Sequence, residues 1–167
     1  RRLGKLILGT FGVKWYRDQA YYDNGGWRGT WEMDGGGSLM NQSVHTVDLM
    51  QWLMGEVASV TSHMGIYNHE IKTEDTTASL ITFKSGASAT FVSTTCAYPG
   101  ISTEICLYGT GGSVEADADC LKTWKFKDAE DEDFDAFPVP NPYDFDYDAV
   151  LAACKYYNGE FALYVGN

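Results

Sequence analysis

From residue 57 onward apolar and polar positions alternate in short runs rich in β-branched and aromatic residues, the period of half-buried strands. The runs are Val57–Tyr67, Thr76–Phe83, Ala87–Thr95, Ser102–Tyr108, Ser113–Ala116 and Leu121–Phe126. Turn signals separate them: KSGA at 84–87, YPG at 98–100 and GTGG at 109–112. Connections this short join antiparallel neighbours. A further strand is predicted over 3–13, LGKLILGTFGV, and a final helix over 147–157, ended by Asn158-Gly159. Between the first strand and the meander the period changes. Leu39–Met54 reads as a helix with Ser38 as N-cap and Gly55 at the C′ position. Residues 16–33 hold too many Gly, Asp and Asn for a regular element, yet Tyr16, Tyr21, Tyr22, Trp27 and Trp31 argue for an ordered, functional loop.

One strand, a long loop, a helix and a meander define an α+β class: an open, mostly antiparallel sheet with helices on one face. At 100° per residue Leu39, Met40, Val44, Val47, Met50 and Met54 fall on one arc of the central helix, its core stripe. The opposite arc is polar early (Asn41, Gln42, His45, Thr46, Asp48) and apolar later (Leu49, Trp52, Leu53). Asp48 is the one charged residue between Ser38 and Met54, so this face resembles a cavity wall more than a solvated surface. In the two strands 76–83 and 87–95, small or polar residues alternate with apolar ones, leaving one lightly polar sheet face that suits a subunit contact.

At 167 residues the chain is read as a single domain, 1–167, with a net charge of −11 that excludes a nucleic-acid surface. Its acid is concentrated in DAEDEDFDAF, 128–137, a solvated block without the spacing of a calcium loop. No apolar run reaches the ~18 residues of a membrane span. RRLGKLILGTFGV reads as a strand, without the cleavage site of a leader. Cys96, Cys106, Cys120 and Cys154 form no CxxC pair, and no metal site is expected. The expected location is the cytoplasm, with export left open.

Asn41 and His45 lie one turn apart, and Asp48 stands three residues beyond His45, within reach of its ring. Such an imidazole can exchange a proton at one nitrogen while a partner holds the other. A packed structural histidine fits these residues as well. Arg17 and Arg28 on the long loop suit a phosphate or carboxylate, or else pair with Asp18, Asp23 or Glu32. His63 and His69 read as strand-end or surface residues without a role.

The string WRGTWEMDGGGSLMNQSVHTVDLMQWLMG (27–55) resembles the second domain of the Gfo/Idh/MocA oxidoreductases, and the likeness continues through TEDTTASLITFKSGA (73–87), AYPG (97–100) and YGTGGSV (108–114). It covers residues 3–126; 127–167 diverge. The resemblance implies a two-domain enzyme whose N-terminal Rossmann domain binds NAD or NADP, and of which this chain is the substrate and oligomerisation domain. GTGG at 109–112 is no dinucleotide motif, since no helix follows it, and the family's Glu-Lys-Pro lysine has no counterpart here. By the same resemblance His45 is the proton acceptor and donor at a sugar, cyclitol or nucleotide-sugar hydroxyl. Asn41, which stands where the family pattern has an acid, is expected to bind substrate with Gln42, Asp48, Arg17, Arg28 and Trp27. Gly36, Gly37 and Trp31 are expected near the cofactor. The expected partners are a carbohydrate-like molecule, the Rossmann domain of the same polypeptide, and a second copy through the sheet face. A glycoside-cleaving relative with retained NAD, and a non-catalytic interaction module, are the alternatives.

Overall fold

The computed structural model describes residues 2–117 and 121–128. The helix expected at 147–157, all of the acidic block except Asp128, and Cys120 and Cys154 lie outside them. Seven strands build one sheet: β1 (Leu6–Lys14), β2 (Val57–Gly65), β3 (Thr76–Phe83), β4 (Ser88–Thr94), β5 (Ser102–Gly109), β6 (Gly112–Asp117) and β7 (Leu121–Phe126). Their order is β2-β3-β4-β1-β5-β6-β7. The hairpin-linked pairs are antiparallel, as the short turns require. β1 enters the middle of the sheet, antiparallel to β5 and parallel to β4, from Leu8 beside Ser88 to Lys14 beside Thr94.

Two helices accompany the sheet. The long loop contains a short one that its composition concealed, α1 (Gln19–Asp23), capped by the Asp18 carboxylate on the Tyr21 amide. The central helix, α2, runs from Val44 to Met54 and closes at Gly55, whose positive φ of 92° favours glycine. It begins five residues later than Leu39 because the Ser38 hydroxyl does not cap it. That hydroxyl turns instead to the Ser93 carbonyl, and the Ser38 carbonyl accepts from both Gln42 and Ser43. The wider closure to Ser43 breaks the 100° phase. Met40 is therefore 55% exposed, and Val44 on the first turn of α2 is 41% exposed, where the extrapolated stripe would have buried both.

The core lies between α2 and one sheet face. Phe11 and Phe91 are neighbours in register on β1 and β4, joined by Ala89, Ile81, Phe83 and Leu107, with Met50 and Met54 above them. Val47 and Leu53 pack on its edge. Gly9 leaves room for the Met54 sulfur. The opposite face carries Thr76, Ala78, Leu80 and Thr82 beside Ser88, Thr90, Val92 and Thr94, in register, as the alternation predicted. Across β1 it continues into an ionic half with Lys14 on Glu104 at 2.5 Å and the Tyr108 hydroxyl donating to Glu115 at 2.7 Å. That bond and burial raise the Tyr108 phenol above its ordinary range. Among the described residues no helix is long and apolar enough to cross a membrane. Phe11→Ala should lower unfolding stability by about 3–5 kcal/mol, measured by denaturant titration, because its position under α2 cannot collapse around the void.

Candidate functional site

The polar end of α2 is shaped by a buried carboxylate. Glu74, just before β3, accepts from the Gly37 amide at 2.9 Å with one oxygen and from the Leu39 amide at 3.0 Å with the other. Its own carbonyl accepts from Ser38 at 2.9 Å. Gly37 passes so close that any Cβ would overlap the Glu74 carbonyl oxygen. Gly36 and Gly37 are both buried. Converging backbone N–H groups favour an anion, and in this turn the protein supplies it. These amides are thus not open to a pyrophosphate, and the described residues do not themselves form a dinucleotide cradle. Trp31 lies on the surface.

A chain of side chains leads from this turn. The Gly29 amide donates to Asp34, whose other oxygen accepts from the Asn41 amide group at 2.5 Å. Gln42 donates to the Asn41 side-chain oxygen Oδ1 at 2.9 Å and to the Tyr21 hydroxyl at 3.3 Å. Two guanidiniums lie over the Tyr21 ring: Arg17 at 5.2 Å and Arg28 at 4.6 Å from its centroid. Arg17 also covers Trp15, and Arg28 covers Trp27. Arg17 donates to the backbone carbonyl of Tyr16 and Arg28 to that of Asn24. Among the described residues neither has a carboxylate partner, so the pairs considered with Asp18, Asp23 and Glu32 do not form; Glu32 faces Lys72 instead. The Arg28 Nε is buried without an acceptor among those residues. Asn41, Gln42, Arg17, Arg28 and Trp27 are therefore gathered. Tyr21, read in the sequence only as an aromatic of the ordered loop, and Asp34, inside the MDGGG string, join them.

His45 lies one turn further along, on the exposed side of α2, with Asp48 exposed beyond it. The two are not hydrogen-bonded to each other, and among the described residues neither has a polar partner. A cavity of about 330 Å³ is lined by Trp15, Tyr16, Arg17 and residues 99–103, and one of about 230 Å³ lies on the ionic half of the open sheet face. His45 lines neither.

One histidine departs from its sequence reading. His69 is buried, not a surface residue: its Nδ1 is 3.0 Å from Asp75 and its Nε2 is 2.9 Å from the Arg17 carbonyl. Burial pushes the Asp75 carboxyl up, but the amides of Asn68 and Tyr67 and the His69 ring outweigh it and leave Asp75 below its ordinary value. His63, by contrast, is exposed on β2 and bonds the Tyr67 hydroxyl.

Among the described residues the architecture is an open, mostly antiparallel α+β sheet, not a doubly wound parallel one. The chain belongs to the Gfo/Idh/MocA family: residues 1–115 match its C-terminal domain. It is similar to the WlbA dehydrogenase from Bordetella pertussis in complex with NADH and UDP-GlcNAcA, at 35% identity and a TM-score of 0.75 over 79% of this chain and 40% of that one. The WlbA dehydrogenase from Chromobacterium violaceum, in complex with the same two molecules, is 36% identical with a TM-score of 0.74 over 78% and 39%. Levoglucosan dehydrogenase, in complex with NADH and levoglucosan, shares the fold at 19% identity and a TM-score of 0.63 over 70% and 34%. The chain thus spans about two-fifths of the length of the WlbA proteins. No curated protein matches it.

Gly37→Ala should cost about 2 kcal/mol or more, read as a fall in Tm, because the added methyl meets backbone rather than a movable side chain. Asp75 has a depressed folded-state pKa, so its contribution is present above the unfolded value of 3.8 and is lost as pH falls through the lower folded one. Asp75→Asn should therefore be less stable than the parent near neutral pH, and the difference should shrink as thermal melts are taken from about pH 5 to about pH 2.

Proposed function

We propose that this chain is the substrate-binding domain of an NAD(P)-dependent oxidoreductase acting on a sugar-type hydroxyl, and that a nucleotide sugar is its substrate class. The observation that carries the proposal is the likeness, above one-third identity over nearly four-fifths of the chain, to two dehydrogenases each bound to NADH and UDP-GlcNAcA. The site's own chemistry agrees. Two guanidiniums without carboxylate partners among the described residues suit an anionic ligand, and neutral amides at Asn41 and Gln42 suit hydroxyls.

The dinucleotide, NAD or NADP, is assigned to a Rossmann domain elsewhere on the polypeptide, since the glycine turn of this chain is capped by Glu74. Trp31, Met33, Met40 and Val44, exposed along the segment that leads to His45, suit the surface such a domain would cover. The chain's contribution to the chemistry is then a proton acceptor. His45 projects to the open side, where it takes the proton of the reacting hydroxyl and returns it in the reverse direction. Asn41 is held at one end by Asp34 and at the other by Gln42, so its amide is fixed before a ligand arrives. The uncovered threonine-rich sheet face, with Leu80 exposed at its centre, suits association with a second copy.

In the full-length protein, His45→Asn should lower kcat for oxidation of a nucleotide sugar by about 10²–10³-fold, with the sugar-nucleotide KM changed less than about threefold. NADH or NADPH formation at 340 nm reports it (on the order of one equivalent per product). Unchanged turnover removes His45 from the mechanism. Product release without net reduced cofactor replaces oxidation with glycoside cleavage.

A further inference from the structure

His69 belongs to no part of the site described above, yet its ring is buried and held at both nitrogens. Its Nδ1 faces the Asp75 Oδ2 at 3.0 Å and its Nε2 faces the Arg17 carbonyl at 2.9 Å. Both are acceptors, and a neutral imidazole offers one N–H. The same Asp75 carboxylate already accepts from the amides of Tyr67, Asn68 and His69. With a single ring hydrogen, one of the two contacts would set lone pair against lone pair in a site closed to water.

Two other titratable groups face the ring. Tyr22 lies against it at 4.8 Å between centroids and shares a hydrogen bond with the Thr95 hydroxyl at 2.8 Å; burial pushes its phenol up to about 12, so it stays neutral. The Cys96 sulfur is 3.8 Å from Nδ1, and burial raises its thiol above the ordinary value. His69, Asp75 and Cys96 have ligand atoms within 4.8 Å of one another, but hydrogen bonds already engage the histidine and the carboxylate, and the cluster reads as a clamp rather than a metal centre.

What the clamp holds is the loop that carries the arginines. The Arg17 amide donates to the Thr95 carbonyl at 2.8 Å and the Arg17 carbonyl accepts from His69, so both backbone groups of this residue are fixed. Tyr21 sits between the two residues that His69 touches, Arg17 and Tyr22.

We propose that His69, with a hydrogen on each ring nitrogen, is a positioning residue that ties the Arg17 backbone to Asp75 and so holds Arg17 and Tyr21 at the substrate mouth. The link to substrate rests on the function proposed above; the clamp itself does not.

The test uses the full-length protein in three measurements. With ¹⁵N-histidine labelling, and His69→Gln to identify the signals, both ring nitrogens of His69 should show the protonated pattern near neutral pH; the widely split pattern of a neutral tautomer would overturn the proposal. His69→Phe keeps the ring against Tyr22 but removes both donors. It should raise the nucleotide-sugar KM about tenfold while kcat and the dinucleotide KM stay within about twofold, and His69→Gln, with donor capacity retained, should raise it less. An unchanged KM, or an equal loss in every parameter, would count against positioning. Amide exchange over residues 17–23 should quicken about tenfold or more in His69→Phe, and unchanged exchange would also defeat the clamp. If the protein oxidises no nucleotide sugar at all, the functional reading fails, while the ring signature and the exchange rates still decide the role of His69. If neither variant folds, sequential resonance assignment of the unmodified protein carried from the His69 backbone into its ring identifies the same signals, and their pattern decides it.

Discussion

Two adjacent buried carboxylates, Glu74 and Asp75, organise the end of this domain where its polar groups converge. Among the described residues neither pairs with a lysine or arginine. Each is satisfied mainly by backbone N–H groups: Glu74 by those of Gly37 and Leu39, Asp75 by those of Tyr67, Asn68 and His69. Removing an ionised group from water is costly unless such bonds replace the hydration shell. Here the replacement fixes three segments at once. Glu74 sets the glycine turn against the start of β3, and Asp75 closes the loop after β2 and, through His69, reaches the loop before α1. The long loop, the glycine turn and the sheet therefore meet at two residues that are neighbours in the chain.

That junction explains why the site is built on loops and yet defined. Asn41 and Gln42 leave a turn whose amides are already occupied, so their side chains are directed outward to Asp34 and Tyr21. Arginines stacked on aromatic rings lose less freedom on meeting an anion than arginines in water. The core contributes support from below: α2 lies over Phe11, Phe91 and Ile81, and burial of these residues holds the helix against the sheet. The face of the sheet away from α2, with its threonine and serine rows, takes no part in this.

The strands were legible because hydrophobic alternation and turn residues are local signals. β3 and β7 begin and end where the alternation says, and the other strands of the meander differ by a few residues at their ends. The helix was legible in its C-terminal two-thirds, where Gly55 and the Met50–Met54 stripe obey an unbroken period. Its start was not. The turn that precedes it is held by Glu74, thirty-five residues after Leu39 in the chain, whereas a periodicity argument assumes that Ser38 caps its own helix. Asn41, Gln42, Arg17, Arg28 and Trp27 were expected from residue type and the family resemblance, whereas Tyr21 and Asp34 acquire their places only through partners on other segments.

The sequence by itself determined the α+β class, the antiparallel hairpins and the family, because those depend on nearest neighbours and on ordered motifs. Tertiary structure alone decided that β1 lies between β4 and β5, that His69 is buried while His45 is open, and that Glu74 closes the glycine turn. Each of these is a pairing between groups far apart in the chain, set by the need to satisfy buried charge and backbone polarity together, and no local pattern encodes that need.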